Sequence, residues 1–252
     1  MRLQTNPHYL LLVWLIATGL IVFGLAVSWN EGLIVQLVDG DRSRISLLIA
    51  LLYASATLHC ANRVVFLSSE LNHAAEVASR IAAASTNGRI TIQDRHVLVG
   101  NGEALPSCVM TNHLLDVINA RQGSTENDAS PEQSNLTEAL SERLKGAHEL
   151  GWFVVDILLK LGLVGTIIGF ILMLGSVANT TSLDVNTMQK VLRQMSTGMG
   201  TALFTTLAGL TGSILLGLQY LILDKGADEL VHRVIRVTEI EIKRNLNPNG
   251  GS

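Results

Sequence analysis

Four stretches of this chain are long and apolar enough to cross a bilayer, and no other feature limits its fold as tightly. A helix needs about 20 mainly apolar residues to span the hydrocarbon core. Tyr9 to Ser28 carries no charge and is rich in Leu, Ile and Val. Ile45 to Leu67 is the second run, with Arg63 near its end. The third extends from Trp152 to Asn179 and the fourth from Thr197 to Leu223. Only 15% of the residues are charged, against about 25% in a typical soluble domain, so the chain is short of groups that keep a surface wet. In lipid every backbone polar group needs a partner, and a helix supplies them all within one segment. The chain therefore reads as an all-α integral membrane protein with transmembrane helices over 9–28, 45–67, 152–179 and 197–223.

The first run is longer than the 7 to 15 apolar residues of a signal peptide and only Arg2 precedes it, so a retained helix is expected. Lys and Arg near the helix ends set the orientation. Arg80, Arg89, Arg95, Arg121, Arg143 and Lys145 lie between the second and third runs, and Lys225, Arg233, Arg236, Lys243 and Arg244 follow the fourth. The opposite side holds only Arg42, Arg44, Lys190 and Arg193. Both termini are thus expected in the cytoplasm. The chain divides into a transmembrane hairpin (1–67), a cytoplasmic helical segment (68–151), a second transmembrane pair (152–223) and a cytoplasmic amphipathic helix with a disordered tail (224–252). In the outer connection of the first hairpin, GLIVQLV suits the membrane interface.

Inside the cytoplasmic segment the second helix is expected to continue past Leu67, with Leu71, Ala74, Ala75, Ala78 and Ile81 at helical spacing, and to stop near Asn87 and Gly88. RITIQDRHVLVGNG places two β-branched triplets around a polar centre and reads as a small hairpin or extended loop. Pro106 opens another helix, with MTNHLLDVINARQ as its body. GSTENDASPEQSN has turn-forming residues without periodicity and reads as a link. A long helix then begins at Leu136 and runs into the third span. After the fourth span, Leu230, Val231, Val234, Ile235 and Thr238 mark one face of an amphipathic helix, and NPNGGS closes the chain as a disordered end.

The two membrane pairs differ in composition. The first is rich in Leu, Ile and Val. The second carries Gly162, Gly165, Thr166, Gly169, Gly175 and Ser176, then Thr197, Gly198, Gly200, Thr201, Thr205, Thr206, Gly209, Thr211, Gly212, Ser213 and Gly217. Small residues let helix backbones approach, and hydroxyls bond across the gap or back to their own helix, so these two helices are expected to be buried against protein or a wet path. Plain packing is the first reading: Gly165 and Gly169 form a GxxxG pair. Asp156 and Lys160, four apart with the acid first, read as a local ion pair at the inner interface. His59 reads as a neutral histidine bonded to nearby backbone, and Arg63 as a headgroup anchor. Cys60 and Cys108 suggest neither a disulfide nor a metal site.

The segments LGLVGTIIGF and MSTGMGTALFTTLAGLTGSI, about 35 residues apart, resemble the paired signature of the MotA/TolQ/ExbB proton channel family, which lies on its last two membrane helices. Four spans and a large inside segment are similar to the MotA arrangement. The resemblance implies a pentameric ring in the bacterial inner membrane whose inner wall is the second, pore-forming pair. It puts Thr166 on the Thr of the LGLxGT motif and Thr206 on the Thr of AL-x-x-T, both facing an ion path, with Thr201, Thr205 and Gly162 beside them. It also implies that Gly165, Gly169, Gly209 and Gly212 pack against other subunits of the ring or against a partner helix. Thr201 stands where the ExbB and TolQ branch has a glutamate, and the late proline of the last span is missing around Ser213 to Leu216.

Between Leu161 and Leu223 the only Asp, Glu or His is Asp184, which belongs to the outer loop, and a threonine hydroxyl does not titrate near neutral pH, so this chain cannot complete a proton relay alone. The resemblance supplies the missing acid: an ExbD-, TolR- or MotB-like dimer whose single membrane helix carries an Asp. The expected function is an ion-motive-force-driven motor or stator subunit that couples inward proton or sodium flow to mechanical work. No cofactor beyond the transported ion and no nucleic-acid partner is expected. No HExxH, intramembrane Asp pair or Ser with a nearby His suggests an enzyme. The alternative is a non-conducting membrane scaffold that uses its glycine faces for association.

Overall fold

The computed structural model describes residues 9–84, 91–93, 96–99, 103–123, 129–178 and 184–246. Six helices and a small sheet follow in order: α1 (Tyr9–Asn30), α2 (Leu33–Gly40), α3 (Ile45–Ala84), β1 (Thr91–Gln93), β2 (His96–Val99), β3 (Glu103–Ala104), α4 (Val109–Gly123), α5 (Ala129–Ala178) and α6 (Val185–Leu246). Four of these helices contain candidate membrane spans, within Tyr9–Asn30, Ile45–Ile81, His148–Gly175 and Val185–Glu239. The chain is a multi-pass membrane protein.

Contacts group the residues into two compact units. One consists of 13–62 and 149–222, the other of 1–12, 63–148 and 223–252. In the first unit α1 is apolar all round: Leu12 of the neighbouring turn, Leu15, Ile16, Leu20 and Phe23 are all exposed, and only Ile21 is buried. A helix without a polar face belongs in lipid. Gly32, at a φ of 74°, lets the chain turn from α1 into α2. Between α2 and α3 the Asp41 carboxylate is buried and accepts bonds from Ser43 N (2.9 Å), Ser43 Oγ (2.5 Å) and Ser46 N (2.6 Å). It thereby satisfies Ser46 N, a first-turn donor of α3 that has no partner within the helix, and holds the turn ahead of it through Ser43.

The other unit buries Val64, Leu67, Ala74, Val77 and Ile81 of α3, Met110, Leu114 and Val117 of α4, Leu140 and Leu144 of α5, and Leu223, Ala227, Leu230, Val231 and Val234 of α6. The α3 stripe is turned slightly from the expected one: Val77 is buried and Ala75 exposed. Gly226 leaves room for the side chains of Leu10 and Leu67. Lys145 pairs with Asp228 at 2.6 Å, and His148 Nδ1 lies 2.8 Å from Asp224 Oδ1, so α5 and α6 are tied by charge as well as by packing. Arg63 is partly exposed and has partners within the chain. Its Nη2 donates to Leu144 O at 3.1 Å and its guanidinium lies 5.4 Å from the Phe66 ring, a cation–π distance.

The segment between the second and third spans is not wholly helical. β1, β2 and β3 form an antiparallel sheet, with Thr91 opposite Leu98, Ile92 opposite Val97 and Val99 opposite Glu103, so Thr91 and Ile92 of the first triplet pair with the second as a hairpin. The Glu70 carboxylate of α3 accepts Val109 N at 2.9 Å and caps α4, which starts three residues after Pro106. The fifth helix begins at Ala129, not Leu136, so the second half of the expected link is helical; Pro131 falls in the first turn, where its missing N–H is no loss. The first part of that link, the stop at Asn87 and Gly88, and NPNGGS lie outside the described residues. Lys190 and Arg193 lie on α6, which begins at Val185, rather than in a loop.

Candidate functional site

The glycines of α5 and α6 meet along one seam. A β-carbon built on Gly209 would lie 2.7 Å from Gly162 Cα and 2.7 Å from Leu158 O, and one on Gly162 would lie 3.2 Å from Gly209 Cα. A β-carbon on Gly169 would meet Ala202 N at 2.6 Å and Gly198 O at 2.7 Å, and one on Gly165 would run into the Thr205 side chain. Backbone here touches backbone. Gly212 is different: its nearest neighbours would be Ile49 Cγ2 at 3.7 Å and Leu158 Cδ1 at 3.8 Å, so a methyl fits. Gly198 completes the seam on α6, where a β-carbon would meet Gly169 O and Met173 N at 2.8 Å; it stands 11 residues, three turns of helix, before Gly209.

The hydroxyls divide into two groups. Thr201 and Thr205 are fully buried within the chain. Thr205 Oγ1 donates to Thr201 O at 2.9 Å and packs against Gly165. Thr201 Oγ1 bonds with Gly40 O at 2.9 Å and Thr197 O at 3.1 Å and accepts Arg42 N at 3.3 Å, which fastens the turn after α2 to α6. Gly40 sits under the Phe204 ring, where a β-carbon would come within 2.6 Å of its carbons. Thr206 Oγ1 crosses the seam to Gly162 O at 3.1 Å and remains partly exposed. Thr166 is also partly exposed, and its Oγ1 bonds only within its own helix, to Leu163 O at 2.5 Å. Thr166 and Thr206 therefore stay at the surface of the pair, while Thr201, Thr205 and Gly162 belong to its interior. Loss of Thr206's hydroxyl would remove a bond across the seam, and loss of Thr166's would not disturb the contact between the helices.

Asp156 and Lys160 form the i, i+4 ion pair on an exposed face of α5. His59 Nδ1 lies 3.0 Å from Tyr220 Oη, which also approaches Ala56 O at 3.4 Å, so its partner is a side chain and not the backbone. Gly151 was missed by pattern alone: the Tyr220 ring lies over it and leaves no space for a side chain. Asp41 was missed as well, although an acid two residues before Ser43 and five before Ser46, ahead of an apolar run, is a capping pattern. Burial pushes the Asp41 carboxyl up, but the bonds from the Ser43 hydroxyl, the Ser46 and Ser43 amides and the Ser46 side chain outweigh it and hold the group below the ordinary aspartate value.

The profile of the MotA/TolQ/ExbB proton channel family matches residues 109–235, half of the chain and the whole of the α5–α6 seam. No curated protein and no solved structure matches.

Proposed function

The chain belongs to the MotA/TolQ/ExbB proton channel family, and from that premise we propose that it is the ring-forming subunit of an ion-driven motor. The family consists of channel and motor or stator proteins rather than enzymes, and its members work with ExbD-, TolR- or MotB-type partners. In this reading five copies surround a dimeric partner in the inner membrane, with both termini of each copy in the cytoplasm. The partner's membrane Asp carries the proton or binds the sodium ion, and its changing charge drives ring and partner past one another. The observation that carries the proposal is the family match across both small-residue helices.

The close seam supports the reading, since it leaves the two helices paired through backbone and their outer faces free for neighbouring copies or the partner. Thr166 and Thr206 are the hydroxyls placed to solvate an ion at such a face. Thr201, Thr205 and Gly162 set the spacing of the helices behind it, and Gly165, Gly169 and Gly209 serve the same end, with Gly212 against α3. Asp156 and Lys160 form an ion pair at the inner interface. The domain division into a peripheral hairpin, an inside segment, a pore-forming pair and a terminal amphipathic helix follows from this arrangement.

Thr166 gives the cleanest test. Thr166→Val removes a hydroxyl and keeps the shape, and the bond it removes lies within one helix. Ion flux through the subunit co-expressed with its single-span partner in vesicles is expected to fall by at least about tenfold, consistent with losing roughly 1.4 kcal/mol of ion solvation, and Thr166→Ser is expected to restore it. Unchanged flux in the valine variant contradicts the ion-path role. The scaffold reading draws on the two fully buried threonines, whose hydroxyls are spent on carbonyls as packing alone requires. A scaffold gives no flux above empty vesicles with either side chain.

A further inference from the structure

A second polar group of residues lies in the membrane-spanning part of the chain, between α3 and α6. Tyr53 and Thr57 stand one turn apart on α3, and Gln219 faces them from α6. Gln219 is fully buried. Its Nε2 donates to Tyr53 Oη over 3.5 Å, the long limit of a hydrogen bond, and its Oε1 is buried and accepts no bond from any described residue. Thr57 Oγ1 is buried in the same condition. Turning the amide round exchanges oxygen and nitrogen and still leaves one end without a partner.

Neighbouring residues do not meet this need. The hydroxyl of Tyr220, next along α6, is already engaged with His59 Nδ1 and Ala56 O. Hydrocarbon offers nothing to a carbonyl oxygen, and an unpaired polar group there is strongly disfavoured. Because Gln219 has no exposed surface, a second protein chain cannot reach it either. What fits is a ligand small enough to enter between two packed helices and able both to donate and to accept. Water has these properties, and an internal water commonly makes about three hydrogen bonds. Gln219 Oε1, Thr57 Oγ1 and Tyr53 Oη provide that number.

We infer that one water molecule is bound between α3 and α6, donating to Gln219 Oε1 and sharing its remaining bonds with the hydroxyls of Thr57 and Tyr53. The inference does not depend on ion conduction, and a chain that acts only as a scaffold has the same need. It gives the contact between α3 and α6 a hydrated point within the bilayer, one turn from the His59 and Tyr220 pair.

The test is X-ray hydroxyl-radical footprinting of the full chain in lipid nanodiscs prepared in 18O water, since radicals generated from a bound water label the side chain beside it. Tyr53 is expected to take up 18O in the wild type. Uptake is expected to drop several-fold in Gln219→Met, which keeps the length of the side chain and removes its polar end. Absence of label at Tyr53 in the wild type, or equal label in the two proteins, overturns the proposal. Should Gln219→Met fail to assemble, Thr57→Val decides in the same terms: a several-fold loss supports the site and unchanged label overturns it.

Discussion

At the scale of single residues, two glycines of the same kind in sequence have opposite roles. Gly24 has open space around it, and Gly209 has the backbone of α5 within 2.7 Å of where a methyl would stand. Gly24→Ala is expected to leave thermal stability in detergent unchanged or slightly raised, since alanine favours helix by about 0.5–1 kcal/mol. Gly209→Ala is expected to lower stability by about 1–3 kcal/mol, because neither backbone can yield as a flexible side chain would. Equal melting temperatures for the two variants contradict the seam. Asp41 gives a pH signature. Its folded value lies below the ordinary aspartate value, so its contribution is fully present above about pH 4 and is lost as pH falls through the folded value. Asp41→Ala is expected to lose about 0.5–2 kcal/mol at neutral pH, as other helix-capping changes do, and the gap from wild type is expected to close only in strong acid. A gap that persists there assigns the loss to packing.

At the scale of elements, α4 is held from two sides: Glu70 caps its first turn and His113 lies in its buried face. Burial pushes His113 below the ordinary histidine value, with Asp116 opposing only in part. The unfolded chain therefore binds a proton that the folded one resists, and stability is lost as pH falls below about 6.5. Amide exchange in α4 is expected to speed up between pH 7 and 5.5, after correction for intrinsic rates, and His113→Gln is expected to flatten that dependence. Glu70→Ala is expected to quicken exchange in α4 at any pH, by about 1 kcal/mol of lost capping. The helices themselves were legible from sequence because apolar length and helical spacing are local properties. Their ends were less so: α5 starts at Ala129 because Pro131 and its neighbours are compatible with a first turn, and composition read the same residues as a link. Partners across elements were legible only in kind. Gly165 and Gly169 announced a close approach, but which hydroxyl would be buried behind it depended on how α6 is rotated. That rotation puts Thr201 and Thr205 inside and leaves Thr206 near the surface. Arg63 and His59 found partners 81 and 161 residues away, and no local pattern encodes such distances.

At the scale of the whole molecule, the exposed apolar faces of α5 and α6 carry Ile167, Phe170 and Ile171 on one and Leu203, Leu207 and Ile214 on the other. Lipid or another protein has to cover them. Native mass spectrometry of the detergent-extracted protein is expected to give a pentamer, and a monomer under mild conditions contradicts the ring. Within each copy, the join between Gly162 and Gly209 has no slack to take up. Two rods seated so tightly behave like doweled staves in a cask: in the proposed motor, whatever slides or tilts does so along the outer flanks of the pair, and a drug or mutation that wedges the join open is expected to stall it by warping the timber rather than by plugging the bung.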